Sequence, residues 1–441
     1  MSQAKNRRVH FVGIGGIGVS ALAQWYLSEG WHVTGSDAIR SPITNNLIRH
    51  GAVIHTGLHN ANWLSPDVSR VIYSVAVKKE NSERKKATSL KIPQFSYAEA
   101  LGELTKNYKT IAVAGAHGKS TTTALVGLML LKAGFDPTII VGTRLKAFGD
   151  SNFRKGKSEW LVLEADEFHG SFLHYTPFAA IITNIDREHL EFYKTFENIK
   201  KAFRTFISRV KENGYLVLNH EDKNLASLQL KTKTKIAYYD RQGARAAKVK
   251  SLLKIPGAHN HSNAMACDTL GSFLGIPVLV RDKVFSRFMG TWRRFEYRGI
   301  YRKAKIYDDY AHHPTEIKAT LSGAREKFPK AKIWVIFQPH LAERLSLLFS
   351  DFAKAFHEAD QVIILETYTV LGRESDSKKN RGAKSLAQKI ALSQPTRFVR
   401  NFKDVLHTIK NEVANGDVLL FMGAGSITNI SDRLVGWHKN S

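Results

Sequence analysis

Short apolar runs alternate with amphipathic stretches along this chain, and each run ends on glycine or on polar and charged residues. RVHFVGIG reads as a strand entering a glycine turn, and VSALAQWYLSEG as a helix ended by Gly30. WHVTGSD reads as a strand ending at Asp37, PITNNLIRHG as a helix and RVIYSVAV as a further strand. Strands and helices in this alternation predict βαβ units and a parallel sheet. A second series begins near Thr110. TIAVAGAHGKSTTT gives strand, turn and helix, EWLVLEADE and AAIITNID give two strands, Phe196 to Arg209 a helix and GYLVLNHED a strand. A helix is expected from His259 to Leu274, with Asn260 and Asn263 at its start. The third series begins near Trp292. It holds KIYDDYAHHPTEI, where Pro314 suits a first helical turn, then KIWVIFQPH, QVIILETY and DVLLFMGAG. The fold class is therefore α/β in three domains, with boundaries expected at 1–105, 106–291 and 292–441. Ligand groups collect at the carboxyl ends of strands in such sheets, so three strand-end clusters are expected to surround one site.

The strand-end residues carry recognisable chemistry. In the second series, Ile111 to Ala114 precede the turn Gly115, Ala116, His117, Gly118, and Lys119, Ser120 and Thr121 open an apolar helix. That order presents free backbone N–H groups to an anion at a helix start. Lys119 is placed to reach terminal phosphates, and Ser120 to offer a hydroxyl to Mg²⁺. The first glycine of the full phosphate-loop pattern falls on Val113, so the match is partial. Glu164, Asp166 and Glu167 end the next apolar strand, where acidic residues commonly hold Mg²⁺; a solvated acidic turn is the plainer alternative. Asn184, Asp186 and His189 end another, and His189 is an acceptable ligand or phosphate contact.

Near the amino end, Gly13, Gly15 and Gly18 form GxGxxG after a strand, with Asp37 ending the next. This spacing fits pyrophosphate binding, and nothing local separates NAD from a UDP-sugar, or either from an unliganded turn. In the third series, Asp309 can accept from a ribose, or the pair Asp308 and Asp309 can cap a helix. His340 and Arg344 share one face if helical, where they can hold a carboxylate or form a surface pair.

Composition changes this picture little. The 441 residues suffice for two to four domains. Lys and Arg total 65 against 39 Asp and Glu, a net charge of +26. The excess is scattered, with small clusters at Arg84 to Lys86, Arg293 to Arg294 and Lys378 to Arg381. No like-charge run resembles a tail, so no nucleic-acid partner is expected, and anionic substrates gain some steering. Cys267 is the only cysteine, which excludes an internal disulfide and fits a reducing cytoplasm. Lys5, Arg7 and Arg8 before VHFVGIGGIGVSALA mimic a signal peptide, but Gly13, Gly15, Gly16 and Gly18 oppose a stable apolar helix there. A cytoplasmic protein without a membrane span is expected, as monomer or dimer.

HFVGIGGIGVSALA, AGAHGKSTTT, LEADEFHGSF, TNIDREHLEFY, HNHSNA, RRFE, DDYAHHPTEI, FQPH and MGAGSI follow in order from about Val9 to Ile427. As a set they resemble the Mur ligases, the family that builds the peptidoglycan stem peptide, and most closely its alanine-adding branch. The resemblance implies a Rossmann-like UDP-binding domain, a central P-loop ATPase-type domain and a C-terminal Rossmann-like domain receiving the amino acid. It implies ATP and two Mg²⁺ as cofactors, with UDP-N-acetylmuramate and a small amino acid, L-alanine first, as substrates joined through an acyl phosphate. By matching positions, Gly115 to Thr121 would cradle ATP, Lys119 its terminal phosphates, Ser120 and Glu164 one metal and His189 the second. Asn260 would contact adenine, Arg294 the phosphates and Asp309 the ribose. Gly13, Gly15, Gly16 and Gly18 would hold the UDP pyrophosphate, with Asp37, His59 and Asn62 near the UDP-sugar. His313, His340 and Arg344 would face the amino acid.

Related ligases carry a carbamylated lysine where this chain has Phe203, which agrees with the alanine-adding branch. Three departures stand out: Phe168 and His169 replace Ser and Asp, Leu341 replaces an arginine, and Ala116 and Ser120 replace two threonines. A recycling ligase that joins UDP-N-acetylmuramate to a preformed peptide shares the glycine loop and a DDFAHHPT-like segment, but FQPH and HGSF favour alanine addition. An NAD-dependent oxidoreductase leaves GKSTTT and LEADE unexplained. A nucleic-acid-stimulated ATPase leaves the first glycine loop unexplained.

Overall fold

A computed structural model describes residues 7–368 and 382–439. Lys5 and the cluster Lys378 to Arg381 lie outside the described residues. The chain divides into two compact units, one formed by Met1–Leu252 with Ser262–Arg287 and the other by Leu253–His261 with Phe288–Ser441.

The first unit holds two sheets. One is five-stranded and wholly parallel, in the order Val53–Thr56, His32–Asp37, Arg8–Val12, Arg70–Tyr73, Gln94–Ser96. The apolar run mistaken most easily for a signal peptide is its central strand, followed by the helix Ile17–Ser28. Val9, Phe11 and Ile14 are fully buried there. The second sheet has seven strands in the order Lys235–Tyr239, Tyr215–Asn219, Ala179–Ile182, Lys109–Ala114, Trp160–Glu164, Thr138–Leu145, Ser151–Arg154. All its pairs are parallel except the last. Its central strands are continuous apolar runs because helices cover both faces. The register sets Val113 opposite Glu164 and Ala114 opposite Ile182. Three strands thus end at one level, and the segments after them, 115–118, 165–167 and 183–186, converge.

The second unit carries a six-stranded sheet ordered Glu296–Tyr301, Ala304–Asp309, Val418–Met422, Ile333–Phe337, Gln361–Leu365, Thr396–Val399. Only its first pair is antiparallel. Asp309 and Phe337 both lie opposite Met422, so the segments after these three strands also meet at one edge.

The basic clusters are partly structural. Arg84 is buried, donates to Gln94 and to the Val77 carbonyl, and lies 3.5 Å over the Tyr73 ring. Arg293 is buried and donates to the carbonyls of Gly423 and Gly425. Cys267 is fully buried beside Met129, and burial pushes its thiol well up, as suits a packing residue. Among the described residues, no helix is long and apolar enough to cross a membrane.

Candidate functional site

The first glycine turn is braced by Asp37. Its Oδ2 accepts from the Gly15 N–H at 2.8 Å, and its Oδ1 from the Ile39 N–H at 3.2 Å. Gly13 has φ +79, and a Cβ there would stand 2.9 Å from Ser74 Cβ. A Cβ on Gly18 would meet the Tyr97 ring at 2.9 Å, and one on Gly15 would meet the Asp37 carboxylate. Gly16 is the N-cap of the helix Ile17–Ser28, so the turn delivers a helix N-terminus with no side chain in the way. His59 lies beside Ser36, one residue from Asp37, with Ser36 Oγ 3.1 Å from its Nδ1. Asn62 sits exposed in the short turn Ala61–Trp63.

The second turn is held from the neighbouring strand end. Thr183 Oγ1 donates to the His117 carbonyl at 2.6 Å, and Asn184 accepts from the His117 N–H at 2.8 Å. His117 Nε2 meets Asp186 at 2.9 Å. The Ala116 N–H donates to the Asn184 carbonyl. Gly118 is the N-cap of the helix Lys119–Lys132 with φ +85, and a Cβ there would stand 2.3 Å from Asn263 Oδ1. Ser120 and Thr121 are buried in the first turn of that helix.

Lys119 Nζ donates to the Gly115 and Ala116 carbonyls and to both Glu167 oxygens, the nearer at 2.8 Å. Burial opposes its charge, but Glu167, Asp166 and Glu164 outweigh burial and hold the ammonium protonated far above the ordinary lysine range. With three carboxylates to one lysine, burial still leaves Glu167 above the usual carboxylate value. Ser120 Oγ donates to Glu164 at 3.1 Å, and the Gly142 N–H donates to the same carboxylate. Ligand atoms of Asp166, Glu167 and His189 lie within 4.8 Å of one another. His189 has φ 56, a left-handed conformation rare for a non-glycine residue. Burial lowers its basicity, but the Glu191 hydrogen bond and the charges of Glu167, Glu188 and Asp166 raise it on balance. Of the departures at this position, Phe168 packs tilted against the His189 ring at 4.8 Å and edge-on against His169 at 4.3 Å.

In the second unit, Asp309 accepts from the Phe295 and Ala311 N–H groups at 2.7 and 2.8 Å. It supports the turn that carries Arg294, which lies over the Tyr310 ring and reaches Glu316 at 3.4 Å. His313 is the N-cap of Pro314–Lys327 and is buried, with Pro314 in the first turn as expected. The acidic pair is therefore not the cap. Asn260 Nδ2 donates to the Pro256 carbonyl at 2.7 Å. His340 and Arg344 do not share a helix face. His340 makes a strand-like bridge to Tyr368 and stacks on its ring, and the helix starts only at Ala342. Leu341 between them has φ 66, which breaks the helical continuity that a shared face would need.

Asp308, the other member of the acidic pair, is buried. Burial pushes its carboxyl up to about 6, against hydrogen bonds from Thr428 and Ser431. A carboxyl raised in the folded state binds its proton more tightly there than in the unfolded chain, so its contribution falls as pH rises from about 4 to about 6. Asp308→Asn is expected to gain stability relative to wild type across that window and to run parallel to it above; thermal unfolding at half-unit pH steps checks this.

Sequence spacing missed three residues of these networks. Tyr97 packs against Gly18, and its hydroxyl is pushed up by burial with Asp166 and Glu164 adding. Asn263 packs on Gly118, and Glu83 holds His59 at 2.6 Å. Asn263 lies in the HNHSNA segment, whereas Tyr97 and Glu83 fall in no local motif; each of the three reaches its place through a long-range contact.

Comparison with known proteins gives concordant results. Residues 8–109 match the model described as Mur ligase family, catalytic domain, 113–271 the Mur ligase middle domain, and 293–425 the Mur ligase, glutamate ligase domain. The chain is 41% identical to a UDP-N-acetylmuramate–L-alanine ligase of Sulfurihydrogenibium sp., over 98% of each protein. Among solved structures, it resembles the UDP-N-acetylmuramate-alanine ligase of Thermotoga maritima with TM-score 0.80 and 29% identity, over 98% of this chain and 99% of that one. A murein peptide ligase from Psychrobacter arcticus shares the fold, with TM-score 0.72 and 22% identity over 99% of each.

Proposed function

The chain belongs to the Mur ligase family, and from that premise we infer that it joins L-alanine to the carboxylate of UDP-N-acetylmuramate at the expense of ATP, in peptidoglycan synthesis. The observation that carries this reading is the convergence of the 115–118 turn, Lys119 and the Glu164–Glu167 segment at one sheet edge, in a chain that matches alanine-adding relatives along its whole length. We propose functional domains 1–105, 106–291 and 292–441.

In this reading the muramyl carboxylate attacks the γ-phosphate, ADP leaves, and the amine of alanine displaces phosphate from the acyl phosphate. Two anions meet in the first step, so cations must offset their repulsion. Lys119 is held protonated for that task, and an arriving phosphate exchanges with the turn carbonyls it now contacts. The N–H groups of Gly115 to Thr121 and the helix start supply further positive potential.

The oxygen donors Ser120, Glu164, Asp166 and Glu167 fit Mg²⁺, which takes oxygen ligands, and His189 adds a nitrogen beside them. Ser120 and Glu164 would hold one ion, and His189, beside Asp166 and Glu167, the second; the ions would neutralise phosphate charge. Gly13, Gly15, Gly16, Gly18, Asp37, His59 and Asn62 are assigned to the UDP-sugar. Asn260, Arg294 and Asp309 are assigned to the nucleotide, and His313, His340 and Arg344 to the amino acid.

The test is phosphate release from Mg-ATP with UDP-N-acetylmuramate and each single amino acid, then with L-Ala-γ-D-Glu-meso-diaminopimelate, then with DNA or RNA. Greatest release is expected with L-alanine. Greater release with the tripeptide would make it a recycling ligase, and stimulation by nucleic acid alone would sink the ligase reading.

Leu341 bears on the amino acid. It is half-buried at the start of the segment that carries Arg344. Leu341→Arg is expected to lower the KM for alanine about tenfold, the worth of one charged hydrogen bond. An unchanged KM would place position 341 away from the carboxylate.

A further inference from the structure

Glu83 sits at the start of the helix Ser82–Ser89 with its side chain fully buried. A lone carboxylate in that position would be costly, yet its two oxygens are shared among three donors. Oε2 meets His10 Nε2 at 2.7 Å, Oε1 meets His59 Nδ1 at 2.6 Å, and Ser36 adds a hydrogen bond. Burial pushes the carboxyl up, but these hydrogen bonds outweigh it and hold Glu83 below the ordinary glutamate value. It is therefore ionised and can only accept. His10, also fully buried on the central strand, is closed on its far side by Thr34 Oγ1 at 2.7 Å. The His59 backbone is pinned as well, because Ser82 Oγ donates to its carbonyl at 3.0 Å.

An acceptor-only partner at Nδ1 decides the chemistry of the His59 ring. Nδ1 must carry the proton, so in the neutral imidazole Nε2 presents a lone pair. Nε2 has no hydrogen-bond partner among the described residues, and the side chain is 23% exposed. The ring stands at the sheet edge next to Ser36, whose neighbour Asp37 braces the Gly15 turn.

We propose that Glu83, backed by His10, is a positioning residue that locks His59 as the Nδ1–H tautomer, so that His59 Nε2 accepts a hydrogen bond from an N–H or O–H of the UDP-sugar and not from its pyrophosphate. This deepens the function proposed above and rests on it. The pyrophosphate has only acceptor oxygens, which a lone pair repels. The imide N–H of uracil and the sugar hydroxyls are donors, and a site built to pair with a donor rejects ligands lacking it.

Two measurements test this. The first uses the wild-type protein labelled with ¹⁵N-histidine, with His59 assigned by loss of its signal in His59→Gln. Long-range ¹H–¹⁵N correlations at pH 8 are expected to show the Nδ1–H tautomer, and the Nε2–H tautomer would overturn the proposal whatever reaction the enzyme performs. The second compares Glu83→Leu, which removes both acceptors at similar volume, with Glu83→Gln, which keeps one. Glu83→Leu is expected to raise the KM for UDP-N-acetylmuramate about ten- to a hundredfold, with kcat and the KM for ATP within twofold and Glu83→Gln intermediate. An unchanged KM in a variant that still unfolds cooperatively, or equal changes in all three constants, would overturn it. Absence of any UDP-N-acetylmuramate-dependent turnover in the wild type would instead refute the function, leaving the tautomer result standing.

Discussion

Lys119→Ala is expected to lower ligase turnover by about 10²–10³-fold or more while UDP-N-acetylmuramate binding, measured by calorimetry, stays within twofold. Removing one preorganised cation from a phosphoryl-transfer site costs at least this much. The binding half follows from position, since Lys119 contacts the 115–118 turn and Glu167 and, among the described residues, makes no hydrogen bond to the Gly13–Gly18 turn. The variant also leaves Glu167, with a side chain only 2% exposed, without its lysine. Breaking one partner from a buried pair costs about 3 kcal/mol, unless the carboxyl takes up a proton. Glu167 already lies above its ordinary value through burial, and losing Lys119 moves it further up. A carboxyl raised in the folded state is stabilising when protonated and costs stability as pH rises through its folded value. The unfolding temperature of Lys119→Ala is thus expected to fall relative to wild type as pH rises. Equal loss of UDP-sugar binding and turnover would mean that the loop is mainly structural.

Gly115→Ala is expected to be strongly damaging. Gly115 has φ +132, which L side chains rarely adopt, and its Cβ would stand 2.1 Å from Thr183 Oγ1 and 3.0 Å from the Asn184 backbone. Thr183 cannot retreat freely, because the same hydroxyl bonds the Ala114 and His117 carbonyls. Strain and overpacking together amount to about 3–5 kcal/mol. A turn displaced by about 1 Å also misaligns the phosphate N–H groups, worth about a hundredfold in turnover. Loss of both thermal stability and ATP turnover is expected. Gly134→Ala is the control: Gly134 too has positive φ, but its Cβ would meet nothing within 4 Å. If the two variants behaved alike, backbone strain and not the clash with Thr183 would be the cause.

Much of this architecture was legible locally. The strand at 109–114, the turn and the helix from Lys119 appear where the apolar pattern put them. So do three of the five parallel strands of the first hundred residues, Arg8–Val12, His32–Asp37 and Arg70–Tyr73, whereas Val53–Thr56 and Gln94–Ser96 are too short and too mixed in polarity to stand out. The condition under which His340 and Arg344 would share a face, a helix through both, is not met because of one residue. Periodicity sees side-chain type, whereas Leu341 departs in backbone conformation, and Tyr368 captures His340 from a distant segment. Asp308 and Asp309 were adjacent and equivalent in sequence. Alternation along the strand sends one to Thr428 and Ser431 and the other to the turn of Phe295 and Ala311.

The sequence by itself determined the α/β class, the two glycine turns, Lys119 and the acidic strand end, because each depends on residues within a few positions of one another. Only the tertiary structure decided their partners. Glu167 for Lys119, Thr183 and Asn184 for the phosphate turn, Tyr97 for the first glycine helix and Glu83 for His59 are all set by sheet register and helix packing. Those join strand ends from distant parts of the chain, and neither periodicity nor motif spacing carries that information.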